Sequence, residues 1–177
     1  MTTDDTVRST TTDRWGRPVL DGEARYGPLD GEDSSWPASP MLVLDDEDVV
    51  TCATEFCRAF SSEYFFTIWL LAVDASGWTT KAAAELLDMP QRPPPAGARH
   101  IVRKAAGGLT AASPGCSLVV AIADPDGGDH APREVAWTRA VLDAAEECGL
   151  TVRGVVAVGA HRSRLLHSAG HVDRGRR

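Results

Sequence analysis

The sequence predicts an α/β fold, a mixed β-sheet flanked by helices, and three observations carry that reading. Residues 64–73, Ser117–Ala123 and Val152–Val158 are apolar runs of strand length, continuous enough to be buried on both faces. Residues 132–148 form a clear helical pattern, with Trp137, Val141, Ala144 and Cys148 at i, i+4, i+7 and i+11. Helical and strand patterns then alternate along the chain in the order β-α-β-β-α-β-α-β, with a short β run after them, which is the order of a sheet covered by helices.

The elements follow from the N-terminus. Residues 1–40 are rich in Thr, Asp, Gly, Ser and Pro and lack a sustained apolar period, so they are expected to be a disordered or loosely docked arm. Trp15, Tyr26 and Trp36 interrupt it and are suited to pinning it on the body or on a partner. Met41-Leu-Val-Leu44 reads as a short strand that opens the ordered domain, residues 41–167. Asp45 to Asp48 supply an N-cap and negative charge to a helix over residues 49–60, whose apolar face is Val49, Ala53, Phe56 and Phe60.

The apolar run 64–73 ends in the turn Asp74-Ala-Ser-Gly77. Residues 78–87 then pair back as a hairpin strand, although Lys81-Ala-Ala-Ala-Glu85 favours helix by propensity alone. The proline-rich stretch 89–97 is a rigid connector, and residues 98–109 are a helix that Gly107-Gly108 frays or closes. After the strand Ser117–Ala123, Pro132 suits the first turn of the next helix and Gly149 marks its end. Leu165-Leu166 lies in a last short strand, and residues 168–177 are expected to be a basic, disordered tail. Trp69, Trp78 and Trp137 are expected to be packing residues of the core or sheet.

Composition narrows the function classes. Of 177 residues, 43% are hydrophobic and 24% charged, ordinary values for a globular domain. A net charge of −7 argues against a general nucleic-acid binder. The exception is the C-terminal end, where Arg162, Arg164, Arg174, Arg176 and Arg177 could touch an anionic partner weakly. No apolar run is long enough to span a membrane, and the polar N-terminus is not a secretory signal. Four cysteines without a Cys-x-x-Cys pair fit small buried thiols in a reducing cell, so the expected location is the cytoplasm.

Residues 117–139, S-L-V-V-A-I-A-D-P-D-G-G-D-H-A-P-R-E-V-A-W-T-R, hold the chemistry. A buried strand runs into an acidic, glycine-rich loop and then a helix, a junction at which α/β proteins commonly bind ligands. Asp124, Asp126, Asp129 and His130 form a candidate cation site, since hard divalent ions take oxygen ligands. Asp-Pro-Asp-Gly-Gly-Asp is equally the composition of a plain exposed turn, and His130 beside Ala131-Pro132 also fits a helix entry. Phosphate cradling is disfavoured, because the loop presents carboxylates and no Gly-x-x-x-x-Gly-Lys pattern occurs.

The same junction, with its following helix, Gly149 and the strand T-V-R-G-V-V-A-V-G, resembles the JAB/JAMM metalloprotease-like family, the bacterial RadC type most closely. That family places His-x-His-Pro-Ser-Gly-Asp after a buried strand, and Pro125, Gly127, Thr138, Arg139 and Gly149 fall in register with it. The resemblance covers about residues 64–166 and implies a JAB-like, cytidine-deaminase-like layered architecture. It does not carry the catalysis over. Ile122 and Asp124 stand at the two zinc-histidine positions, Asp129 could replace the ligand aspartate, and Glu85 is the nearest carboxylate to the family's upstream glutamate. In texture the run from Trp69 to Leu166 also resembles small actinobacterial domains of unknown function. The expected function is therefore a non-catalytic JAB-like domain that binds a protein or small ligand, without a cofactor. The alternative is a metal-dependent hydrolase with rearranged ligands and a divalent cation.

Overall fold

The structure, a computed structural model, describes residues 11–12, 18–19, 24–28, 40–60, 66–87, 89–90, 92–93, 95–128 and 131–170. It is α/β, as the apolar runs require. Among the described residues, eight strands and three helices follow one another as β1 (Thr11–Thr12), β2 (Pro18–Val19), β3 (Ala24–Pro28), α1 (Asp46–Phe60), β4 (Thr67–Val73), β5 (Thr79–Leu87), α2 (Pro95–Ala112), β6 (Ser117–Ala123), α3 (Pro132–Glu147), β7 (Val152–Val158) and β8 (Ser163–Ser168). β1 and β2 pair with each other, and the other six form one mixed sheet in the order β3-β5-β4-β6-β7-β8. β6 and β7 are its parallel pair, joined through α3; every other neighbouring pair is antiparallel.

Strand alternation divides the sheet's side chains between two cores. Ile68, Leu70, Leu86, Leu118, Val120, Ile122 and Val155 pack with Val102, Ala105 and Leu109 of α2 and Trp137, Val141 and Ala144 of α3. On the other face Trp69, Leu71, Ala83, Val119, Ala121, Val156 and Val158 meet Val49, Cys52, Ala53, Phe56 and Cys57 of α1. Because both faces are covered, β4 and β6 read as unbroken apolar runs rather than alternating ones. Trp137 is fully buried and donates its indole N–H to the Pro90 carbonyl at 2.9 Å, which ties the proline-rich connector to α3.

Several elements depart from the sequence reading. Residues 41–44 make only an isolated bridge, Leu42 opposite Trp78, because they run beside the β4–β5 turn and reach only the first residue of β5, where the Thr79 N–H donates to the Met41 carbonyl at 2.9 Å. The Val43 N–H donates to the Gly77 carbonyl, and the half-buried Arg153 donates from Nη1 to the Val43 carbonyl at 2.8 Å and from Nε to Ser117 at 2.6 Å. Trp78 is 44% exposed, with Leu42 and Leu44 also at the surface, so it is not a core residue. α2 begins at Pro95 and runs through Gly107-Gly108 to Ala112, since proline fits a first turn and the buried Ala105, Ala106 and Leu109 hold the helix together. β3 lies in the segment read as an arm and pairs with β5, Ala24 opposite Leu86 and Pro28 opposite Ala82. Trp15, Trp36 and residues 171–177 lie outside the described residues, as do Tyr64 and Phe65 at the start of the run read as a strand.

Candidate functional site

The parallel pair directs the carboxyl ends of β6 and β7 to one edge of the molecule, and the loops that follow meet there. Asp124, the first residue beyond β6, donates its N–H to the Val158 carbonyl at 3.0 Å and so extends the pairing by one step. Its side chain is nearly buried and fully engaged. Oδ2 is paired with the Arg133 guanidinium on the first turn of α3, and Oδ1 accepts the Asp126 N–H at 3.2 Å. The Arg133 guanidinium also lies over the Phe66 ring, 4.2 Å from its centroid.

Glu134 organises the rest of the junction. It is completely buried, and its two oxygens accept the N–H groups of Gly128 at 2.6 Å and Ala131 at 2.8 Å. This is one half of a capping box, because Ala131 at the N-cap has no side-chain acceptor to return the bond. The carboxylate sits where the first turn of α3 leaves N–H groups unpaired, a place that favours negative charge.

The turn from β7 to β8 closes against this loop. The Gly159 N–H donates to the Arg162 carbonyl at 2.9 Å, and a Cβ at Gly159 would come within 2.0 Å of the Gly127 carbonyl oxygen. Gly128, at φ +97°, places its backbone where a Cβ would lie 2.7 Å from the Arg162 carbonyl. The glycines of the acidic loop are therefore a docking surface for the neighbouring turn.

Between these loops and α1 lies a cleft of about 840 Å³. Val50, Thr54, Cys57 and Arg58 of α1 form one wall; Ala123, Asp124 and Pro125 and the segment from Val158 to Ser163 form the rest. The Thr54 hydroxyl donates to the Val50 carbonyl and shares a 2.7 Å hydrogen bond with the Ser163 hydroxyl, joining α1 to the start of β8.

Of the candidate cation ligands, Asp124 is thus bound by Arg133 and Asp126 is exposed, while Asp129 and His130 lie outside the described residues. Among the described residues no three His, Cys, Asp or Glu side chains cluster as a metal group. Ile122 is buried against α2 and α3, and Asp124 follows it on the same strand parity. Glu85 shares the opposite parity with Ala83 and lies across from Trp69, on the α1 face of the sheet. Of the described positions that the sequence resemblance set against the JAMM ligands and base, Ile122 and Asp124 thus share one strand parity while Glu85 lies on the opposite face of the sheet.

Comparison with protein-family models, curated proteins and solved structures finds no significant match for the chain.

Sequence reasoning located the β6–α3 junction but not the cleft beside it. Thr54 and Ser163 are 109 positions apart, and no local signal reports that they touch. The one available hint was Gly159, a glycine closing a buried strand opposite a Gly-Gly loop.

Proposed function

We propose that the chain is a non-catalytic, JAB-like binding domain that takes a small ligand in the cleft at the carboxyl ends of β6 and β7. The observation that carries this reading is the cleft itself. It sits where open α/β sheets bind ligands, its volume falls within the range of about 300–1,000 Å³ typical of small-molecule sites, and it combines an apolar floor with a polar rim. The state of Asp124 supports binding rather than hydrolysis. A carboxylate already neutralised by Arg133 and held by a backbone N–H is a poor metal ligand or general base, and Glu85 lies on the other face of the sheet.

Among the described residues no helix is long and apolar enough to cross a membrane. The four cysteines are free thiols, three of them buried, which supports a cytoplasmic setting.

A library of small neutral, anionic and cationic compounds, screened by amide chemical-shift changes, tests the reading. Binders should shift the amides of Thr54, Asp124 and residues 158–163. Binders that consistently shift a different surface would refute the proposed site.

A further inference from the structure

We propose that the arginine-rich segment 171–177 of this chain docks into the acidic groove at whose edge it begins, between the start of α1, the β4–β5 turn and the end of β8. This surface is separate from the cleft at the carboxyl ends of β6 and β7, and the proposal stands independently of it.

The point from which the segment departs is fixed. β8 ends at Ser168, whose hydroxyl donates to Asp46 Oδ1 at 2.6 Å and accepts the Gly170 N–H at 3.1 Å. The Ala169 N–H donates to the Arg153 carbonyl at 3.0 Å, and Ala169 and Gly170 both line the groove, which measures about 480 Å³. Residues 171–177, His-Val-Asp-Arg-Gly-Arg-Arg, lie outside the described residues and continue from there. At about 3.3–3.6 Å per residue, Arg174 extends up to about 14 Å from Gly170 and Arg177 up to about 25 Å. The carboxylates beside Asp46 are therefore within their reach.

The groove carries the complementary charge. Asp45, Asp46 and Asp74 line it. Neutral donors hold each of them: Asp45 Oδ1 accepts the Asp48 N–H at 2.9 Å, Asp46 Oδ1 the Ser168 hydroxyl, and Asp74 Oδ1 the N–H groups of Ser76 at 2.8 Å and Trp78 at 3.0 Å. The ion pairs among the described residues use other carboxylates, Glu55, Asp124 and Glu147. Arg153 is the one arginine or lysine among the described lining residues, and its guanidinium is engaged by the Val43 carbonyl and the Ser117 hydroxyl. The positive end of the α1 dipole offsets about half a charge, and Glu47 and Asp48 on the same turn exceed that. The groove is thus negative. At its edge Leu42 and Leu44 meet over Gly77, next to Trp78, and all three are exposed, an apolar lip suited to the stems of arginine side chains.

The tether decides which cation fills the groove. Exposed ion pairs are individually weak, so a separate basic peptide would gain little from three of them. A segment anchored at Gly170 is presented at a local concentration on the order of millimolar, and weak pairs then suffice.

The test compares amide NMR spectra of the full chain with those of the triple variant Arg174→Gln, Arg176→Gln, Arg177→Gln, from about 20 to about 500 mM salt. At low salt the amides of Asp45, Asp74, Ala75 and Gly115, all distant from 171–177 in sequence, should differ between the two chains. Raising the salt should move the native amides toward the variant's positions and move the variant's much less, because screening releases the docked segment. The low-salt difference should not depend on protein concentration. Coincident low-salt spectra at these amides, or a difference that persists at high salt, would overturn the proposal. A difference that grows with protein concentration would assign the arginines to a second copy of the chain and overturn it equally.

Discussion

Asp124 and Arg133 show how a residue that reads as a candidate cation ligand in sequence is engaged by a neighbouring guanidinium in three dimensions. The carboxylate is 4% exposed, and its partner is partly covered by Phe66. Removing one member of such a pair strands the other's charge, a loss larger than the pair's own net contribution. Arg133→Met should therefore lower the unfolding free energy by about 2–4 kcal/mol in urea titration, discounted from a fully buried pair because Arg133 keeps some water contact. A change below about 0.5 kcal/mol would mean that the contact is incidental. The cysteines give a second check at this scale. Burial, with Cys57 and Asp48 nearby, pushes the Cys52 thiol up to about 12, so it should resist alkylation in the native protein. The half-exposed Cys148 should react first, as peptide mapping after brief iodoacetamide treatment would show.

Among the elements, the contact of the β6–α3 loop with the β7–β8 turn sets the shape of the cleft. Gly159→Ala places a methyl group against the Gly127 carbonyl, so the two loops must separate. We expect a lower melting temperature and, by NMR, altered amides at both loops, with the α2–α3 core unaffected. The α2–α3 contact has its own marker. Arg99 and Arg103 of α2 both reach Glu147 at the end of α3 and hold its carboxyl below the usual 4.5. A lowered folded-state value contributes stability above the unfolded value and loses it as pH falls through the folded one. Glu147→Gln should thus be slightly less stable than the native chain near neutral pH. The difference should shrink progressively as the pH is taken below 4.5, and thermal melts across that range measure it. Local pattern foretold most elements but not their partners. Residues 79–87 form a strand despite helix-favouring alanines because β4 and β3 flank them. Met41 to Leu44 look like a strand, yet Arg153 and the β4–β5 turn claim their backbone.

For the whole molecule, a mixed sheet with helices on it and the burial of both faces were legible from three apolar runs and their intervening helices, whereas the strand order β3-β5-β4-β6-β7-β8 was not. Each face is closed by residues whose period the sequence displays, Phe56 of α1 on one side and Trp137 of α3 on the other. The cleft was not legible, because it is made by residues brought together from α1, the end of β6 and the β7–β8 turn. β3 escaped notice for a related reason: an edge strand that borrows its hydrogen bonds from β5 needs little apolar pattern of its own.

The central claim is that the acidic junction is architecture and that ligands bind beside it without catalysis by a resident metal. Metal content of the full chain, purified without chelator or metal-affinity resin and measured by inductively coupled plasma mass spectrometry, tests this most directly. The account predicts far less than one divalent ion per chain, and no change in that value in Asp124→Asn. One tightly held zinc or other divalent ion per chain, lost in Asp124→Asn, would contradict it.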